Sequence, residues 1–117
     1  MFKEQAKCEC EYKDDILYTK IEGEIDHHTA KPIREKIDGE MLHYRPKTLR
    51  IDLTAVGFMD SSGLGLILGR SALAERMGAS VLLFGASSRI VKILSMAGVE
   101  RIKNIKFEKK VEKKNEK

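Results

Sequence analysis

Asp60-Ser61-Ser62 is the stretch whose residue types could do chemistry. It lies between a short apolar approach, Phe58-Met59, and a helix-like run, Gly63-Leu64-Gly65-Leu66-Ile67-Leu68-Gly69-Arg70. Asp and Ser are N-cap residue types, so the first free backbone N–H groups of the following helix should gather around them, with the positive end of its dipole. That environment suits a phosphate. A serine hydroxyl placed there could be phosphorylated, the new anion being held by backbone donors and opposed by the like charge of Asp60. Plain helix capping accounts for the same residues, and both readings stand at this point.

A nucleophilic role is the other chemistry these residues allow, with Ser61 or Ser62 attacking, His27 or His28 as base and an aspartate as orienter. The elbow lacks the G-x-S-x-G pattern that strains a hydrolase serine into attack geometry, and the chain has little room for an enclosed substrate pocket. Of the residues around His27 and His28, Asp26 ranks first as a contact residue. His27, His28 and His43 show no zinc-finger spacing with Cys8 or Cys10, so neither a metal nor a cofactor is expected. The two cysteines would point to the same side of a strand, where a disulfide is strained, and free thiols are expected.

The helix that follows the elbow carries glycines at 65 and 69, each costing about 1 kcal/mol against alanine. They share one face with Ala72 a turn further on, so a neighbouring backbone could approach closely there. Leu64, Ile67, Leu68 and Ala74 form one apolar stripe and Leu66, Leu73 and Met77 another. A sheet buries one stripe. The second is left for a partner, or for another helix if this one is sandwiched.

The elements that must position the elbow read as follows. Residues 8–12 and 15–23 form a hairpin of two strands, and a break over residues 24–30 leads to a helix capped by Asp26, His28 or Thr29. Pro32 fits its first turn; Ile33, Ile37 and Met41 make its stripe with Leu42 beside them, and Pro46 stops it after Tyr44. Residues 48–53 alternate as a strand and residues 54–58 read as a turn into the elbow. The nearly all-apolar run 79–84 has the pattern of a central strand buried on both faces. Ser87-Ser88 cap a short helix closed by Gly98, and residues 102–107 supply the last strand. Strands alternating with helices after a hairpin imply an α/β fold with a mixed, mostly parallel sheet and functional groups at the strands' C-terminal ends. The Asp26-His27-His28 turn and the elbow could there form one surface.

Bulk composition narrows the function classes. A chain of 117 residues with 42% hydrophobic and 34% charged residues is one globular domain, and no apolar run reaches the eighteen or so residues that span a bilayer. The N-terminal residues are too polar for a signal-peptide core, so a cytoplasmic location is expected. The net charge is +4, but residues 106–117 hold six lysines against three glutamates, which leaves a nearly neutral body. With three Tyr and four Phe for stacking, this is a poor footprint for nucleic acid. The lysine-rich end reads as a solvated, disordered tail.

Gly23-Glu24-Ile25-Asp26-His27-His28-Thr29-Ala30 and Phe58 through Arg70, with a weaker echo in Met96-Ala97-Gly98, resemble the anti-sigma-factor antagonists, bacterial proteins made of a single STAS domain, and in particular their sporulation branch. The resemblance covers about residues 8–107. It implies a STAS domain over residues 1–107 and a tail over 108–117, and a non-enzymatic switch protein that is monomeric when free. It also implies that Ser61, directly after the elbow's aspartate, is phosphorylated by the anti-sigma factor, itself a serine kinase using ATP. The unphosphorylated form would bind that kinase with its nucleotide and release sigma; the phosphorylated form would let go until a serine phosphatase resets it. On this reading Asp60, Ser62 and Gly63 form the phosphosite environment and cap, and Asp26, His27, Gly65, Leu66, Gly69 and Arg70 meet the partner. An antagonist in a stress-response pathway is the alternative circuit. The tail from Lys106 onward departs from the pattern.

Overall fold

Asp14 and Asp15 take left-handed backbone angles, φ 53° and 67°, and turn the chain back on itself within two residues. Paired positive φ values match the right-handed twist of flanking strands, so the turn sets a tight antiparallel hairpin of β1 (Ala6–Lys13) and β2 (Ile16–Ile25). The computed structural model describes residues 6–108. After the hairpin come α1 (Ala30–Tyr44), β3 (Thr48–Met59), α2 (Ser61–Arg76), β4 (Ser80–Phe84), α3 (Ser88–Met96), a 3-10 turn (Val99–Arg101) and β5 (Ile105–Glu108). The five strands stand in the order β1-β2-β3-β4-β5, antiparallel between β1 and β2 and parallel from β2 onward. The expected alternation of strands and helices is observed. The lysine-rich tail lies outside the described residues, apart from the end of β5.

Register explains the core. Leu17, Leu49, Val81 and Ile105 are neighbours across β2 to β5, and Thr19, Ile51, Leu83 and Phe107 form the next row on the same face. These rows pack with Ile33, Ile37 and Met41 of α1, Leu66, Ile67 and Ala74 of α2, and Ile90 and Leu94 of α3 in one cluster. The opposite face carries no helix from this cluster. There the Arg50 guanidinium lies 4.2 Å from the Phe84 ring centre and 5.6 Å from that of Tyr18.

That one-sidedness corrects the reading of β4. Only Val81 and Leu83 are buried; Ser80, Leu82 and Phe84 face the uncovered side half-exposed, and β3, not β4, is the middle strand. Three further expectations change. The turn expected over residues 54–58 is strand, because β2 and β3 stay paired as far as Ile25 and Met59. The last strand starts at Ile105, with the 3-10 turn taking the residues after Gly98, whose φ is 80°. Leu42 is 53% exposed, since it lies off the Ile33-Ile37-Met41 stripe.

Both apolar stripes of α2 are covered. Leu64, Leu68, Leu73 and Met77 pack partly buried against the core alongside the buried Leu66, Ile67 and Ala74, so α2 packs on β3 and β4 and sideways against α1, which lies beside it over β1 and β2. No neighbouring atom comes within 4 Å of where a Cβ on Gly65 or Gly69 would sit, so the expected close backbone approach does not occur within the domain. The two glycines face an open groove.

Candidate functional site

The parallel pairing of β2 and β3 delivers two loops to the same place. Asp60 N–H donates to the carbonyl of Ile25 at 3.2 Å, which ties the start of the elbow to the end of β2. Asp60 is extended, φ −105° and ψ −163°, and its Oδ1 accepts from Ser62 N–H at 2.7 Å while its carbonyl accepts from Gly63 and Leu64 at 3.0 and 3.2 Å. Asp60 is therefore the N-cap of α2. The capping role expected of Ser62 is corrected accordingly: Ser62 donates its N–H to the cap and lies half-buried one residue further in.

Ser61 is exposed at the first helical position. Its N–H is the one of the first four in the helix that Asp60 does not take up, so an anion on its hydroxyl would meet the helix dipole and fewer free donors than the sequence suggested. Gly63 is buried because the Met59 side chain fills the space a Cβ would need, with Ile25 Cγ2 at 3.2 Å. A side chain there would push the helix start off the end of β3.

The second loop is knotted on itself. Asp26 Oδ1 accepts from the N–H groups of His28 and Thr29 at 2.9 and 3.1 Å. The Thr29 hydroxyl accepts from Asp26 N–H at 2.9 Å and donates to the Glu24 carbonyl at 2.8 Å. These bonds, led by that from Thr29, hold the Asp26 carboxyl below its ordinary pKa. The Asp26 side chain thus shapes the loop first. Thr29 is the α1 N-cap by position, but its hydroxyl serves this knot rather than the helix.

Between the two helices runs a groove of about 440 Å³ whose lining includes His27, Lys31, Arg34, Ser62, Gly65 and Gly69. Two expected contact residues need correction. Leu66 and Arg70 are only 4% and 6% exposed and form the floor of this groove instead of a projecting surface. Arg70 turns inward because Asp38 of α1 meets its Nε at 2.8 Å, and its Nη1 reaches the Leu66 carbonyl at 3.4 Å. Burial pushes the Arg70 pKa down while Asp38 holds it up. Asp38 carried no signal in the sequence, being 32 positions from Arg70 on a separate helix. Lys31 and Arg34 were also missed; their spacing of three places both on one side of α1, a signal that was available. Phe58, 45% exposed just before the elbow, is the large apolar group presented beside Ser61 in sequence.

His27 and His28 contact each other edge to face, with ring centres 4.9 Å apart. Among the described residues no hydrogen bond joins either imidazole to Ser61 or Ser62. No helix among the described residues is long and apolar enough to cross a membrane.

An extended aspartate at the end of a central parallel strand, an exposed serine opening the next helix and a knotted loop beside it thus stand together on a sheet that starts with a hairpin. The STAS domain family matches residues 7–113. The chain is 32% identical over 94 residues to an anti-sigma F factor antagonist of Paenibacillus polymyxa, covering 80% of each. It is 36% identical over 89 residues to an anti-sigma-B factor antagonist of Listeria monocytogenes, covering 74% of this chain and 75% of that one. Its fold superposes on the anti-sigma factor antagonist SpoIIAA with a TM-score of 0.76 in the unphosphorylated form, covering 91% and 90% of the two chains, and 0.71 in the phosphorylated Bacillus form, covering 91% and 93%, both at 26% identity. The chain belongs to the STAS family of anti-sigma-factor antagonists, a regulatory group and not a known class of enzyme.

Proposed function

We propose that this protein is a phospho-switch that frees a sporulation sigma factor by binding its anti-sigma factor. The unphosphorylated chain docks on the nucleotide-bound anti-sigma factor, a serine kinase, which then phosphorylates Ser61 and loses its grip; a serine phosphatase restores the docking form. The observation that carries this reading is the placement of Ser61, solvent-exposed at the opening of α2 and held in position by Asp60 and the Ile25 carbonyl. SpoIIAA, solved in unphosphorylated and phosphorylated forms, supports the same cycle here.

The docking surface on this reading is Ser61 with Phe58, the Asp26-His27 loop and the groove walls at Gly65 and Gly69. Leu66 and Arg70 set the groove's floor. The switch acts by charge. A phosphoryl group adds nearly two negative charges beside Asp60 at a surface that had accepted a neutral hydroxyl, and desolvating them without a cation costs several kcal/mol. The free protein is a monomer, and the cycle runs in the cytoplasm without nucleic acid or membrane.

Incubation with the cognate anti-sigma factor and ATP, followed by mapping of the phosphosite, tests the assignment: label on Ser61 is expected, and label on Ser62 with none on Ser61 would overturn it. A stress-response circuit is the second reading, favoured by the 36% identity to the Listeria anti-sigma-B factor antagonist. Binding to anti-sigma F but not anti-sigma-B factor decides for sporulation; the reverse decides for stress.

A further inference from the structure

Positive charge and glycine meet in the groove between α1 and α2. Lys31 and Arg34 stand one turn apart on α1 and line one side of it. Gly65 and Gly69 stand one turn apart on α2 and line the other, with Arg70 in the floor and Ser62 where α2 begins. These cations are only partly matched within the domain. Asp38 takes up Arg70 at 2.8 Å, but Glu35 meets Lys31 at 4.0 Å in a pair that is 70% and 61% exposed and so holds weakly. Among the described residues Arg34 makes no ion pair. Burial lowers the Arg70 pKa and the nearby Arg34 charge adds to that fall, so the two guanidinium groups stand close enough to repel.

The glycines carry a second argument. Glycine is unfavourable in a helix interior unless something needs the space its missing Cβ leaves. At Gly63 the Met59 side chain needs it. At Gly65 and Gly69 nothing in the domain lies within 4 Å of the Cβ position, so the domain's own packing does not call for glycine at either place. A backbone arriving from outside does, because it can settle closer to α2 there than over any larger residue. The groove also runs into the proposed docking surface: Ser62 lines it, and Ser61 is one residue back. A protein whose active site receives Ser61 lies across the groove's mouth.

We propose that the groove receives an acidic segment of the anti-sigma factor, its backbone laid against Gly65 and Gly69 and its carboxylates paired with Lys31 and Arg34. The inference rests on the phospho-switch reading and adds the chemistry of the partner's contact. It also adds a force to the switch. A phosphoryl group on Ser61 brings nearly two negative charges beside the groove lining, where they repel the arriving carboxylates.

Binding of the nucleotide-bound anti-sigma factor is measured by calorimetry from about 0.05 to 0.5 M salt, alongside labelling of Ser61 with ATP. The parent's affinity should fall as salt rises. Lys31→Glu combined with Arg34→Glu should weaken binding on the order of 100-fold at low salt and flatten that dependence. Arg89→Glu, at an exposed position of α3, should leave both unchanged. Gly65→Ala and Gly69→Ala should each raise the urea midpoint of the free protein, since the space is open, yet weaken binding about tenfold. Circular dichroism reports whether the charge-reversed variant is folded. If the parent is labelled on Ser61 while the charge-reversed variant binds as tightly with the same salt dependence, the acidic segment is refuted and the phospho-switch stands. A parent that neither binds nor is labelled overturns both. Alanine variants that bind like the parent would refute the close backbone approach, and free-protein dimers in sedimentation that the charge reversal dissociates would give the groove to a second copy of this chain.

Discussion

α2 and α3 both begin where a parallel strand ends, and both present an exposed serine in their first turn, yet their surroundings differ. At α2 the cap is a carboxylate, Asp60, with a 2.7 Å bond to Ser62 N–H, fastened to β2 through the Ile25 carbonyl and flanked by the Asp26–Thr29 knot and the groove. At α3 the cap is a hydroxyl, Ser87, with a 3.3 Å bond to Ile90 N–H, approached through Gly85 at φ 74°, which sits against the Thr54 side chain. Ser88 is exposed like Ser61, its approach is tied to β5 by Gly85 N–H donating to the Glu108 carbonyl at 3.0 Å, and it lines a cleft of about 620 Å³ with Thr54 and Lys92. What separates the two helix starts is the carboxylate cap and the Asp26–Thr29 knot beside α2. On the proposed reading, the Asp60 cap and the knotted loop, rather than the dipole both helices share, are what would present Ser61 to the kinase.

The sharpest break of this comparison is kinase labelling. Ser61→Ala should abolish phosphate transfer from ATP by the anti-sigma factor, while Ser62→Ala and Ser88→Ala leave it; label persisting in the Ser61 variant would equate the two helix starts.

Next in size is the ion pair that shapes the groove. Arg70→Ala leaves Asp38 facing a vacated site and should cost about 2–3 kcal/mol, less than the 3–5 of a fully buried pair because Asp38 retains 30% of its side-chain exposure. The shift of the urea midpoint measures it. A change under about 0.5 kcal/mol would mean that the pair does not hold α1 against α2.

The two caps should differ as their bonds do. Asp60→Ala should cost about 1–2 kcal/mol and Ser87→Ala nearer 0.5, both within the usual range for lost N-caps. Equal losses in parallel urea titrations would remove the distinction between the helix starts. The Asp26 loop adds a pH signature. Its carboxyl titrates below its ordinary value in the folded chain, so its contribution to stability is full above the unfolded pKa of about 3.9 and disappears as pH falls through the lower folded value. Asp26→Asn should flatten the stability profile below about pH 4 and leave its shape near neutrality unchanged. The smallest effect is expected from truncation after Glu108, which should leave binding to the anti-sigma factor unaltered; lost affinity that grows at low salt would make the lysines a contact surface.

Order and type of the elements were legible because periodicity carried them: Ile33, Ile37 and Met41 mark α1, and Leu49, Ile51 and Leu53 mark β3. The ends of β2 and β3 were not. From Leu53 to Met59 the buried positions fall at 53, 56 and 59, and β2 shifts register between Lys20 and Glu22 and again between Gly23 and Glu24, so the period of two that announces a strand is lost where the strands carry the site. The elbow itself was legible from capping chemistry and the resemblance. Arg70 was not: a charged residue reads as solvated unless its partner is known, and Asp38 becomes its partner only once α1 and α2 are packed together.

Calorimetry of two Ser61 variants and one Ser88 variant against the nucleotide-bound anti-sigma factor reaches the centre of the matter. Ser61→Ala should bind like the parent, because losing a hydroxyl leaves the docking surface intact. Ser61→Asp should bind more weakly by several kcal/mol, since its charge is desolvated beside Asp60, and Ser88→Asp should bind unchanged. Equal affinities for Ser61→Ala and Ser61→Asp would show that charge at Ser61 does not break the complex, and would contradict the switch.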